Sequence, residues 1–218
     1  MKRVFLFLGI ATIVLSNQYV PIPNKPLGVS LGDSKKIIIE AFYDLQCPDS
    51  KNSFGILDQV LKQGYGSQFK YTIHMFPLPF HRTAFPESQA FAFLSEISSE
   101  AAYLFAQTIF DNQDLLSESA TQELTWQQIL DKIAQIAKEN VHPKYQYDEV
   151  KFAKSLLPGS DWNIKARYWW KYGTYRTISG TPVFLVNGVI LDEAEEYTEE
   201  KWIELINKLK NSHNTLEL

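Results

Sequence analysis

Two kinds of hydrophobic spacing divide this chain, and their order restricts the folds open to it. Near the start, Lys36 to Tyr43 is β-branched and aromatic enough for a buried strand. Pro48 to Lys62 repeats Phe54, Leu57, Val60 and Leu61 at helical spacing until Gly64, and Gln68 to Met75 alternates Phe69, Tyr71, Ile73 and Met75 as a strand does. Near the end, Pro182 to Val186 and Val189 to Leu191 flank Asn187-Gly188, the strongest short hairpin signal, and Glu199 to Lys210 carries Trp202, Ile203, Leu205, Ile206 and Leu209 as an amphipathic helix. Between these ends the spacing is helical: Thr83 to Ile97, Ser99 to Phe110, Trp126 to Ala137, Tyr147 to Leu157, and Asp161 to about Thr177 with Ser160 or Asp161 as N-cap. The order is β-α-β, a block of helices, then β-β-α. Neither set of strands completes a sheet alone, so the expected fold is one α/β domain with a helical insertion.

This reading divides the chain into a signal peptide over 1–16, an extended N-terminal extension over 17–35, a sheet domain made of 36–79 and 178–211, and the insertion over 80–177. The signal peptide rests on Lys2 and Arg3, the apolar run Val4 to Leu15, and the small residues Val14 and Ser16 at a cleavage site. That run is shorter than the roughly 20 residues a membrane span needs. No other stretch is apolar enough to span, so no membrane anchorage is expected after cleavage. The destination is the secretory pathway, either secreted or in an endomembrane lumen.

Composition narrows the function classes. A net charge of −4 over 218 residues gives no basic footprint for nucleic acid. His74, His81, His142 and His213 are scattered, with no Cys/His pair at metal spacing, so no metal site is expected. Cys47 is the only cysteine, so the chain forms no internal disulfide and its stability must come from its core. An odd cysteine in an oxidising compartment is either buried and inert or a reactive thiol. Its setting is Phe42-Tyr43-Asp44-Leu45-Gln46-Cys47-Pro48-Asp49-Ser50, at the junction of strand and helix. Unpaired backbone N–H groups at a helix start favour a thiolate there, and the Asp49 carboxylate opposes it. The Cys-Pro context favours an exposed, reactive thiol.

Three segments carry a resemblance to the DsbA-like branch of the thioredoxin superfamily, a thioredoxin fold (βαβ…ββα) with an all-helical insertion. They are Phe42 to Pro48, Pro77-Leu78-Pro79-Phe80-His81-Arg82-Thr83-Ala84, and Ser179-Gly180-Thr181-Pro182-Val183-Phe184-Leu185-Val186-Asn187-Gly188. The resemblance as a whole spans roughly Lys36 to Lys210. The resemblance implies that Cys47 is the attacking thiol and that Ser50 occupies the place of the second cysteine. It implies that Pro48 and Asp49 border a client, and that Thr181 and the cis-proline Pro182 pair with an extended client strand. Asp44 is either a turn residue or a carboxylate acting near Cys47. His81 and Arg82 either cap the insertion or line a groove, the structural role being the expected one. Tyr168, Trp169, Trp170, Tyr172 and Tyr175 are expected mainly in the core, a substrate groove becoming the better account if several stand exposed on one face beside Cys47.

Ser50 then sets the chemistry. A serine hydroxyl cannot resolve a mixed disulfide, so Cys47 needs an outside thiol, with glutathione or another cysteine of the client as the source. The expected function is monothiol thiol–disulfide exchange, of oxidoreductase or isomerase type, on cysteine-containing proteins or peptides and without a resident cofactor. The alternative is a redox-degenerate module that holds clients without turnover. A kappa-type glutathione transferase shares the insertion plan, but the retained Cys47 and the leader weigh against it.

Overall fold

A computed structural model describes residues 21–24 and 26–212. The signal-peptide reading of 1–16 lies outside the described residues. Strands β1 (Val29–Leu31), β2 (Ile38–Tyr43), β3 (Lys70–Met75), β4 (Val183–Val186) and β5 (Val189–Ile190) form one sheet in the order β1-β3-β2-β4-β5. β2 and β3 run parallel, with Ile38 opposite Lys70 and Tyr43 opposite Met75, and the other pairings are antiparallel. A parallel pair requires a crossover, which helix α1 (Pro48–Lys62) provides. Both ends of the sequence therefore share one sheet, with β4 bonded directly to β2.

The β4–β5 turn follows from its residues. Asn187 and Gly188 both have positive φ, 50° and 84°, the backbone of the two-residue turn that matches strand twist. Asn187 does more than turn. Its Oδ1 accepts from the Ile38 amide at 2.8 Å and its Nδ2 donates to the Lys36 carbonyl at 3.1 Å, which fixes the hairpin against the start of β2.

The extension reading of 17–35 needs one correction: it contains β1, which pairs antiparallel with β3 along the sheet edge. Three residues hold too little periodicity to declare a strand, and β1 owes its existence to the waiting edge of β3.

The insertion comprises α2 (Ala84–Leu94), α3 (Ser99–Asp111), α4 (Gln113–Leu116), α5 (Glu118–Thr121), α6 (Trp126–Asn140), α7 (Glu149–Ser155) and α8 (Asp161–Tyr175); α9 (Glu199–Asn211) closes the fold. α2 is buried on every side from Pro86 to Leu94, with Glu87, Ser88 and Gln89 as its buried polar residues, the central helix of the insertion. It stops at Leu94, short of Ile97, because Ser98 becomes the N-cap of α3 through its Oγ and the Ala101 amide. α6 begins at a capping box formed by Thr125 and Gln128, and Ser160 is the cap of α8.

Insertion and sheet share one core. Tyr43 of β2 makes edge contacts with Phe54 of α1, Phe184 of β4 and Phe110 of α3, at centroid distances of 5.8, 5.9 and 6.2 Å. Its buried hydroxyl accepts a hydrogen bond from Tyr71 at 2.8 Å. Truncating Phe110→Ala is expected to cost about 3–5 kcal/mol. Because the core is shared, chemical denaturation of that variant should still show one cooperative transition. Two separate transitions, one for the sheet and one for the helices, would contradict this packing.

Candidate active site around Cys47

β2 ends at Tyr43, and residues 44–47 make the turn into α1. The Asp44 carbonyl accepts from the Cys47 amide at 3.1 Å, and its Oδ1 accepts from the Gln46 amide at 2.7 Å, an Asx-type turn. Asp44 Oδ2 accepts from the Leu78 amide at 2.7 Å and pairs with His81 Nδ1 at 2.8 Å. Burial raises the Asp44 carboxyl above the ordinary carboxylate range, opposed by the Leu78 and Gln46 amides and by His81. Of the two roles left open by the sequence, the turn is the one the contacts describe, and it extends to clamping the Cys47 turn onto the Pro77–Arg82 loop. Arg82 is structural as expected: its guanidinium donates to the Thr121 and Leu124 carbonyls at 2.5 and 3.0 Å, closing the segment after α5.

Cys47 is the N-cap of α1, with extended backbone, and Pro48 occupies the first helical position, where its missing N–H costs nothing. Its sulfur meets a segment distant in sequence. Sγ donates to the Thr181 carbonyl at 3.2 Å, and the Thr181-Pro182 peptide bond is cis. Cys47 is only 6% exposed, which corrects the expectation of an open thiol. The Thr181-Pro182 loop lies over the sulfur, and no feature of the local sequence around Cys47 encodes that contact.

The other sequence-named residues divide by exposure. Pro48 and Asp49 are exposed, and Pro182 is buried. Ser50 is fully buried, and its Oγ has no hydrogen-bond partner among the described residues; no bond joins it to Cys47. Thr181 Oγ1 is likewise buried and unpartnered. Two orphaned hydroxyls therefore belong to the segments that meet at the sulfur. A shallow cavity of about 280 Å³ opens beside Pro48 and Gln46. Among the described residues no group of three or more His, Cys, Asp or Glu side chains is arranged to hold a metal ion.

Two residues of the surroundings went unread in the sequence. Gln113 Nε2 donates to the carbonyls of Leu45 and Cys47, at 2.9 and 3.1 Å, holding the turn from the insertion side. Glu87 is fully buried in the first turn of α2, and its Oε1 accepts from Gln46 Nε2 at 2.7 Å. Beside Ser88 and Gln89, the Glu87 carboxylate gave no distinct signal in the sequence. Burial pushes Glu87 up to about 8, with the nearby Asp44 charge adding to the rise.

The comparisons with known proteins agree with this fold. A family model described as thioredoxin matches residues 25–208. Among solved structures, DsbA from Chlamydia trachomatis superposes with a TM-score of 0.67 at 16% identity, covering 88% of this chain and 96% of that one. BdbD from Bacillus subtilis, in its oxidised form, gives 0.65 at 17% identity over 84% and 93% of the two chains. α-DsbA1 from Wolbachia pipientis gives 0.65 at 17% identity over 87% and 92%. No curated protein matches the chain by sequence.

Glu87 generates a stability prediction. Its carboxyl ionises near 4.5 in the unfolded chain and near 8 in the folded one, so the folded state retains the proton longer. Stability relative to a Glu87→Gln variant is full below 4.5, falls as pH rises from 4.5 to 8, and levels off above that. At about 1.4 kcal/mol per pH unit the loss is on the order of 3–5 kcal/mol. Melting both proteins from pH 4 to 9 should show Glu87→Gln gaining over wild type across that window; a constant gap would mean the carboxyl titrates normally. By its family model and its sheet with a helical insertion, the chain belongs to the thioredoxin family and carries the DsbA-like form of that fold.

Proposed function

We propose that this chain performs monothiol thiol–disulfide exchange on cysteine-containing polypeptides through a mixed disulfide at Cys47. The observation that carries the reading is the meeting of Cys47 Sγ with the Thr181 carbonyl of the cis-proline loop, at 3.2 Å across 134 residues of sequence. A thiol held at a helix start beside the loop that leads into β4 suits a client that approaches as a strand and presents a sulfur. Thr181 and Pro182 border that strand, and the exposed Pro48 and Asp49 line its approach. The names of the structural neighbours, DsbA and BdbD among them, lend support. The leader at residues 1–16 adds a secretory-pathway location, where client disulfides occur.

The step balances as a disulfide exchange. The Cys47 thiolate attacks one sulfur of a client disulfide; the client S–S bond breaks, the Cys47–client bond forms, and the other client sulfur departs as thiolate. Ser50 cannot expel the client, because a hydroxyl forms no disulfide. A second thiolate, from glutathione or from another cysteine of the client, attacks the client sulfur and returns Cys47 as thiolate. When the second thiol belongs to the client, the result is isomerisation without net oxidation. A second reading, a client-binding module without turnover, is favoured by the burial of Cys47 at 6% exposure.

Incubation with oxidised glutathione should attach one glutathione to Cys47, visible by intact mass and removed by reduced glutathione. Cys47→Ser should abolish the adduct. Ser50→Cys should shorten the lifetime of a client adduct by supplying an internal resolving thiol, and the released enzyme should then carry a disulfide. A wild-type chain that forms no adduct while Cys47→Ser still binds clients as wild type does would select the binding module instead.

A further inference from the structure

The aromatic run of α8 does not all enter the core. Trp169 packs edge-on against Phe91 in the interior, whereas Trp170 is 39% exposed and stacks on Phe76 at 5.9 Å. Trp170 forms one wall of a cavity of about 420 Å³, together with Leu78, Phe85 and three cationic side chains, Arg82, Arg167 and Lys171. None of the residues lining it is acidic, in a chain whose net charge is −4. Cations gathered in one concave, partly aromatic place run against the composition of the whole. Arg82 is anchored by the Thr121 and Leu124 carbonyls, which fixes its charge in place.

The cavity is joined to the surroundings of the thiol. His81 and Arg82 line both it and the smaller hollow that Gln46 and Pro48 border. Leu78, in its wall, donates its amide to Asp44, whose carbonyl accepts from the Cys47 amide. Phe80, 69% exposed, stands in the loop between these residues with its ring edge-on to His81. A polypeptide engaged at Cys47 thus meets a route across His81 and Arg82 into the cationic cavity. An arginine beside an aromatic wall suits a carboxylate next to an aromatic or large aliphatic side chain.

We propose that this cavity is a client-selectivity subsite, which receives an acidic stretch bearing an aromatic or large aliphatic side chain from the polypeptide whose cysteine meets Cys47. The link to Cys47 rests on the thiol-exchange reading; the choice of occupant rests on charge complementarity.

Fluorescein-labelled peptides of equal length, with serine in place of cysteine so that no covalent bond forms, test this by fluorescence anisotropy with the full chain. One carries Asp-Phe-Glu in a Gly/Ser frame and the other Lys-Phe-Lys. The acidic peptide should bind about tenfold more tightly or better, since two or more charge pairs are at stake. The gap should narrow as salt is raised. The double variant R167E/K171E should reverse the order. R167Q/K171Q, which removes charge without adding anions, should abolish the preference and covers the case in which charge reversal disturbs α8. Equal binding of the two peptides overturns the subsite, as does an acidic preference that neither double variant changes. Tighter binding to phosphatidylserine vesicles than to the acidic peptide, lost in the same variants, also overturns it and reassigns the patch to a membrane surface. These peptides lack cysteine, so lost selectivity alongside intact glutathione adduct formation rejects only the subsite, and retained selectivity without adduct formation rejects only the thiol-exchange reading.

Discussion

The carboxylate of Asp44 is the contact on which the local architecture turns. It is almost wholly buried, where a carboxyl group is costly unless each oxygen is satisfied. Oδ1 takes the Gln46 amide, and Oδ2 takes both the Leu78 amide and His81. One side chain thereby fixes the turn that presents Cys47 and the loop from which the helical insertion departs. Removing it would leave two buried amides without acceptors and free the two segments to move apart. Gln46 and Gln113 extend the same logic, the first reaching Glu87 in α2 and the second gripping the Leu45 and Cys47 carbonyls from α4. The thiol turn is held by the insertion on three sides, so the insertion acts on the site as its frame.

That frame explains why the sulfur is covered. With the turn immobilised, the free variable is the loop before β4, and its Thr181 carbonyl sits at 3.2 Å from Sγ. The contact satisfies the thiol proton but leaves two neighbouring hydroxyls, Ser50 Oγ and Thr181 Oγ1, without partners. Buried unpartnered hydroxyls cost stability; Tyr147 carries another in the insertion, and these two lie on the segments flanking the sulfur.

How far this was legible in the sequence depends on how local each cause is. Asn187-Gly188 announced its hairpin because the backbone demand sits in those two residues. α1, β2 and β3 were legible through spacing alone, and Cys47 through its position between two periodicities. β1 was invisible because three residues acquire strand form only from the edge of β3. The burial of Cys47 was misread for the same reason: its cover comes from Thr181, far along the chain. Ser50 was legible as a missing cysteine, yet the isolation of its hydroxyl from any hydrogen bond was not. Glu87 and Gln113 looked like ordinary helix polar residues, since a partner such as Gln46 Nε2 or the Cys47 carbonyl is known only after the insertion has packed.

The position of the covering loop is itself set from the insertion. α8 approaches the sheet closely at Gly173, where a Cβ would come within 2.5 Å of the Phe76 ring, so only glycine allows the contact. On either side of Gly173, Tyr172 and Arg176 complete the join. Tyr172 packs beside the stacked rings of Phe42 and His74, and Arg176 donates to Tyr172 and pairs with Glu40 at 3.2 Å. Burial holds the His74 imidazole below its usual range, so its contact with Glu40 is a hydrogen bond from a neutral ring, and Arg176 supplies the positive charge. The Glu40 carboxyl is correspondingly lowered, through His74 first and Arg176 after it. The chain leaves this anchored helix end through Thr177, in left-handed conformation, and the Ile178 amide returns to the Gly173 carbonyl at 3.0 Å. Only Ser179 and Gly180 then separate the anchor from Thr181. The lid over the sulfur therefore hangs on a short tether from α8, and Glu40, which touches neither Cys47 nor Thr181, helps to determine where that lid rests.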